Sequence, residues 1–118
     1  TTQRYVDLNN VPYLSVCCTG THDTSPMRMW WHENRENTQW FYNNILHQGG
    51  VAPDDLTPEL AQQIVDMHVN SKSMWAILPW QDYMACDGVN RFPNPDAERI
   101  NDPSNPRHIW CWRMHVEL

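Results

Sequence analysis

His22 and Asp23 stand side by side just after Thr19-Gly20-Thr21. They follow a short apolar, β-compatible run, Tyr13 to Cys18, and precede a helix start at which Ser25 can cap and Pro26 suits the first helical position. Parallel α/β arrangements carry their chemistry where strands end and the next helices begin. At that address the pair has two readings: groups that hold a substrate, or groups that only hydrogen-bond the turn and cap the helix. Other candidates are poorer. Cys111 and His115 are four apart with His108 nearby, too scattered a set for a zinc site. Cys17 and Cys18 lie inside the predicted strand, before its functional end, with only His22 near enough in sequence to activate a thiol. No phosphate loop and no Ser-His-Asp arrangement is present.

The elements that must position His22 and Asp23 are two strand-helix units. The first is the strand Tyr13 to Cys18 with a helical stretch from Pro26 to Leu46, interrupted around Asn34 by a kink or a fresh helix start and ended by Gln48-Gly49-Gly50, where glycine can take the left-handed cap. Residues Thr1 to Asn10 form an approach segment with a thin scatter of Tyr5, Val6 and Leu8. A second helix starts at Thr57-Pro58-Glu59, with a hydroxyl cap, a proline in the first turn and an acid at the positive end of the dipole. Its apolar face carries Leu60, Ile64 and Met67, with Val65 and His68 beside them, to about Ser71. Met74 to Leu78 is the second predicted strand, stopped by Pro79, and Trp80 to Met84 is a turn or short helix. From Arg91 to Pro106 prolines and asparagines alternate too densely for regular structure, which predicts a rigid, shaped loop. Ile109 to Leu118 reads as a strand or the start of a helix.

Composition sets the outer bounds. A chain of 118 residues holds one core and buries roughly 65% of the surface it exposes unfolded. A net charge of -6 with eight scattered basic residues argues against nucleic acid or an anionic membrane surface, and no apolar run is long enough to span a bilayer. Neutral ligands stay open. Seven tryptophans serve either as faces for sugar rings or as core filling. The four cysteines, with Cys17 and Cys18 adjacent in a strand and no signal peptide before them, read as free buried thiols of a cytoplasmic protein. The start at Thr1-Thr2-Gln3, without methionine, reads as a trimmed piece.

Four motifs in order, Thr19-Gly20-Thr21-His22-Asp23-Thr24, Arg28-Met29-Trp30-Trp31, Leu78-Pro79-Trp80-Gln81-Asp82 and Trp110-Cys111-Trp112-Arg113, resemble the C-terminal part of a 4-alpha-glucanotransferase (amylomaltase, or disproportionating enzyme). The two tryptophans after Arg-Met are most similar to the plant cytosolic and some bacterial forms. Cys111 departs from the family's Trp-Arg-Trp-Arg and puts any role of that arginine in doubt. The resemblance implies an α/β fold in which residues 1–118 are a fragment of a (β/α)8 TIM-type barrel, its last two strand-helix units. It implies transfer of 4-alpha-glucan segments between maltooligosaccharides by a retaining double displacement, with no metal and no organic cofactor. It assigns Asp23 as the carboxylate that stabilises the charged sugar, His22, Trp80 and Asn101 as substrate-binding groups, and Gln81 and Asp82 as support for the rim. Trp30 and Trp31 are weaker candidates for sugar contact. The nucleophile and the acid/base have no counterpart here, so the chain alone is expected to be inactive and its uncovered barrel faces to associate. Composition by itself leaves a different reading open, a small carbohydrate-binding or protein-interaction module.

Overall fold

A computed structural model describes residues 7–117. Residues 1–6, which include Tyr5 and Val6 of the expected approach segment, and Leu118 lie outside the described residues. A 3-10 turn at Leu8–Asn10 is capped by Asp7, whose carboxylate accepts from the Asn9 amide at 3.0 Å. There follow β1 (Val16–Cys17), α1 (Met27–Glu33), α2 (Arg35–Asn44), α3 (Pro58–Val69), β2 (Trp75–Ala76) and α4 (Trp80–Met84). A second 3-10 turn at Pro95–Glu98 interrupts an otherwise irregular C-terminal stretch, and the described residues 109–117 form neither strand nor helix.

Local sequence explains most of the helix boundaries. Asn34 is extended (φ -147°) and its side chain accepts from the Asn37 amide at 3.0 Å, making the break between α1 and α2 a new N-cap. Buried Thr38 then ties the two helices together, its hydroxyl donating to the Trp31 carbonyl at 2.8 Å. The end of α2 differs from expectation. The helix stops at Asn44 and His47, not a glycine, takes the first left-handed conformation (φ 54°), with Gly50 following at φ 81°. Thr57 caps α3 at the Leu60 amide, and the face α3 buries is Ala61, Ile64, Val65 and His68, with Leu60 and Met67 at its margin.

The TIM-barrel expectation is overturned. The chain is mostly helical, and its sheet is a two-stranded open pair. β1 and β2 are parallel, with Val16 opposite Trp75 and Cys17 opposite Ala76. The pairing extends over two residues of each apolar run, and hydrogen bonds such as Met74 to the Tyr13 carbonyl (2.8 Å) and Ile77 to the Cys17 carbonyl (3.0 Å) finish it. An apolar run permits a strand; only partners on both edges make it part of a barrel, and among the described residues neither strand has a second partner. Apolar residues on both faces of a strand do not bring cover to both faces. Cys17 is buried, whereas Leu14, Val16, Trp75 and Ile77 are exposed.

The helices supply the core instead. Met27 and Trp31 of α1, Leu46, Ala52 and Leu56 of the connection, Ala61, Ile64 and Val65 of α3, and Ala85 after α4 form one cluster. Trp31 is fully buried, and its indole N–H donates to the Pro53 carbonyl at 3.0 Å, so the largest core side chain leaves no polar atom unpaired. Burial of such a side chain contributes on the order of 3 kcal/mol. All four cysteines are free thiols, but only Cys17 is buried; Cys86 is half-buried and Cys18 and Cys111 are exposed. No helix among the described residues is long and apolar enough to cross a membrane.

Candidate functional site

The loop from β1 to α1 is built around Thr21 and Thr24. The Thr24 hydroxyl accepts from the Thr21 amide at 2.8 Å and donates to the Thr21 carbonyl at 3.1 Å, while the Asp23 amide donates to the Thr21 hydroxyl at 3.3 Å. These bonds close a tight turn whose two corner residues are His22 and Asp23, both about half exposed. Gly20 makes the closure possible, since a Cβ there would sit 2.6 Å from the Thr24 hydroxyl that the turn holds in place.

At that corner His22 Nε2 lies 3.3 Å from Asp23 Oδ2, and Asn101 Nδ2 donates to Asp23 Oδ1 at 2.7 Å. The imidazole also packs on Trp110, with ring centroids 4.9 Å apart and planes tilted by 49°. Three of the residues singled out from the sequence, His22, Asp23 and Asn101, therefore meet, although Asn101 is 78 positions from Asp23. Both oxygens of the Asp23 carboxylate are engaged, by a side chain from its own turn and by one from the C-terminal loop.

Two buried carboxylates hold this constellation from below. Asp82, at 1% exposure, accepts from the Met27 amide at 2.9 Å and from the Thr19 hydroxyl. It thus caps α1 from α4 and grips the site loop at both ends. Ser25, the expected cap, turns instead to Glu33, and α1 begins one residue later than Pro26. Burial pushes the Asp82 carboxyl above the usual carboxylate range, against the opposing pull of the Thr19 and Met27 hydrogen bonds. Glu98 is equally buried and pairs with Arg28 of α1 at 2.6 Å. Its carboxyl is also raised, by burial, with the Arg28 charge pulling the other way. Arg28 Nη1 donates to the Phe92 carbonyl as well, and Gln81 Nε2 donates to the Glu98 carbonyl at 3.0 Å. From there Arg99 Nε reaches the Asn101 carbonyl at 2.8 Å and the His108 ring meets the Ile100 carbonyl at 2.9 Å. The loop that carries Asn101 and Trp110 is thereby fastened to the helix that follows Asp23.

Trp80 is placed elsewhere. It opens α4 and faces a narrow cleft shared with Phe92, Trp112 and His115, and among the described residues no hydrogen bond or ring contact joins it to His22, Asp23 or Asn101. Of Trp30 and Trp31, the second is core and the first packs edge-on against Phe41 at 5.4 Å. The seven tryptophans, readable as sugar faces or as core filling, divide between exposed and buried places. One of the seven is fully buried, and Trp40, Trp75, Trp80 and Trp110 are exposed. An open groove of about 710 Å³ adjoins the site loop, lined by Thr19, Gly20 and Thr24 with Trp30, Phe41 and Met67, but neither Asp23 nor Asn101 faces it. Among the described residues no three of His, Cys, Asp and Glu are grouped to hold a metal ion. Sequence reasoning missed Trp110, Arg28 and Glu98. Trp110 was visible as part of a motif, yet nothing local ties it to His22, and the Arg28–Glu98 pair spans 70 positions.

A family model described as 4-alpha-glucanotransferase matches residues 1–117. The chain belongs to the 4-alpha-glucanotransferase family. It is similar to a 4-alpha-glucanotransferase of Oryza sativa subsp. japonica, 40% identical over 106 residues that cover 90% of this chain and 11% of that protein. A chloroplastic/amyloplastic 4-alpha-glucanotransferase of Solanum tuberosum is 26% identical over 103 residues, 84% of this chain and 15% of that protein. One of Chlamydia muridarum is 25% identical over 118 residues, 99% of this chain and 22% of that protein. The chain thus spans between 11% and 22% of the length of these relatives. No solved structure matches it significantly. Within this glucanotransferase segment, Asp23 is a half-exposed carboxylate at a cluster of hydrogen-bonding groups, whereas Asp82 and Glu98 are buried and committed to structure.

Proposed function

We propose that in the intact glucanotransferase this segment forms one wall of the glucan site, with Asp23 stabilising the reacting sugar and His22 and Asn101 holding its hydroxyls. The observation that carries the reading is the carboxylate of Asp23 fixed between His22 and Asn101 at an exposed turn. A fixed carboxylate that binds the flattened, positively charged ring more tightly than the relaxed one lowers the barrier selectively. The transfer needs two more carboxyl groups. One attacks the anomeric carbon while the other protonates the departing glycosidic oxygen; the 4-hydroxyl of an acceptor glucan then displaces the first and returns a proton to the second. Those two groups come from outside this chain, which alone is inactive. The chemistry calls for no metal and no organic cofactor.

In the intact enzyme, Asp23→Asn keeps the shape and removes the charge. The expected result is a fall in transfer rate of about 10²-fold or more, measured by resolving the oligosaccharides formed from maltotriose. Near-normal transfer by the variant removes Asp23 from the mechanism, and redistribution of maltotriose by the isolated chain removes the need for outside carboxylates. A non-catalytic sugar-binding module is the second reading, favoured by the exposure of Trp40, Trp75, Trp80 and Trp110. Calorimetry separates the two, because a module binds maltooligosaccharides tightly by itself and a single wall of a cleft does so weakly.

A further inference from the structure

Trp110 is the aromatic neighbour of the His22–Asp23–Asn101 cluster, and more than half of it remains exposed after one part of the ring system has packed on His22. A buried tryptophan in that place would be packing. An exposed one costs solvation and contributes little to the core cluster, of which it is no part. Its backbone stretch has no helix or strand to demand it, yet the loop is held by the Arg28–Glu98 pair and by the His108 contact to Ile100, so the indole is presented at a defined place. The polar groups beside it, an imidazole, an amide and a carboxylate, hydrogen-bond hydroxyls. An indole face matches the apolar C–H face of a pyranose. Polar groups and aromatic face together suit one ligand class, a neutral sugar ring with hydroxyls at its edge and C–H groups on its face.

We infer that Trp110 is a stacking platform for a glucose unit of the glucan bound at Asp23. This deepens the glucan-site reading above and rests on it. Loss of the platform weakens glucan binding rather than the chemical step, so the effect falls on KM. Loss of His22 orientation alone falls on kcat.

The test uses the intact glucanotransferase with maltotriose as donor. Trp110→Leu keeps apolar bulk and removes the π-face, and Trp110→Phe keeps a face; the expected result is a KM raised roughly fivefold to tenfold for leucine and about twofold for phenylalanine, at similar kcat. A second measurement needs no variant. Oxidation of exposed indoles by N-bromosuccinimide, mapped by mass spectrometry, should spare Trp110 when maltotriose is bound and leave Trp40 as reactive as before. A KM unchanged in Trp110→Leu, a loss confined to kcat, or oxidation of Trp110 unaffected by maltotriose overturns the inference. If instead Asp23→Asn transfers glucan normally while Trp110 is still protected, the catalytic assignment has failed and the platform stands.

Discussion

Glu98→Ala should be the most disruptive single change away from the site, and its size follows from the burial of one ion pair. Glu98 is 1% exposed, and its Oε1 lies 2.6 Å from Arg28 Nη1, itself on a side chain 7% exposed. Removing the carboxylate leaves a buried guanidinium with the Phe92 carbonyl as the acceptor still in place. Breaking a pair in this way costs about 3–5 kcal/mol, a large part of the roughly 5–15 kcal/mol that stabilises a domain. Replacing both partners together, Arg28→Met with Glu98→Leu, costs much less, because the penalty for desolvating two charges disappears along with their attraction. Among the described residues Glu98 Oε2 has no hydrogen-bond partner, which marks the pair as imperfectly satisfied and strengthens that expectation. Urea unfolding followed by tryptophan fluorescence reads the result. With a slope on the order of 1.5 kcal/mol per molar, the Glu98→Ala midpoint should fall by about 2 to 3 M and the double variant by about 1 M or less. A fall below about 0.5 M for Glu98→Ala, or a double variant worse than the single one, refutes the reasoning.

Three other outcomes are expected. Asp82 and Glu98 have folded-state carboxyls raised above their unfolded values, so the folded chain holds protons that the unfolded chain releases, and stability should decline as pH rises from the ordinary carboxylate range through the raised values. Asp87 and Asp102 are lowered by hydrogen bonds from Asn90 and Ser104 and act the other way, losing their contribution as pH falls; thermal melts of wild type and Asp82→Asn should show a flatter decline in the variant, and identical slopes would exclude Asp82 as a source. Gly20→Ala forces a Cβ against the Thr24 hydroxyl and should cost about 1–3 kcal/mol in melts while abolishing most transfer in the intact enzyme; a stable, active Gly20→Ala protein would show that the turn is not needed. The exposed face of Leu14, Val16, Trp75 and Ile77 should make the isolated chain associate, and Val16→Lys with Trp75→Lys should shift its sedimentation toward monomer.

What the sequence made legible was local. Thr57-Pro58-Glu59 states a helix start in three residues, because caps are chemistry between near neighbours, and of the kink or fresh start left open around Asn34 the fold takes the fresh start. The parallel relation of the two strands came through as well, since the intervening helical stretch is long enough for a crossover. The barrel did not follow, because an apolar run such as Tyr13 to Cys18 cannot say how many neighbours its strand has. The cap of α1 was misread for a related reason: Ser25 had the right type and spacing, but Asp82 from α4 reaches the Met27 amide and Ser25 is free to meet Glu33. At the site, His22 and Asp23 were found as neighbours and Asn101 through resemblance. Trp110 needed the fold, because its contact with His22 crosses most of the chain.

The main apolar cluster of the described residues runs from Met27 to Ala85, whereas Asn101 and Trp110 come from the stretch after it. Folding can therefore condense the helices first and lay the C-terminal loop over them afterwards, bringing Asn101 to Asp23 late, after a long loop has closed. The reverse order holds for opening: the loop can lift away at the expense of one ion pair and a few hydrogen bonds while the helical cluster stays intact. Assembly of the His22–Asp23–Asn101 cluster and possession of a fold are then separate states of this chain, and a population that looks fully folded by its helices can still contain molecules whose cluster is unmade.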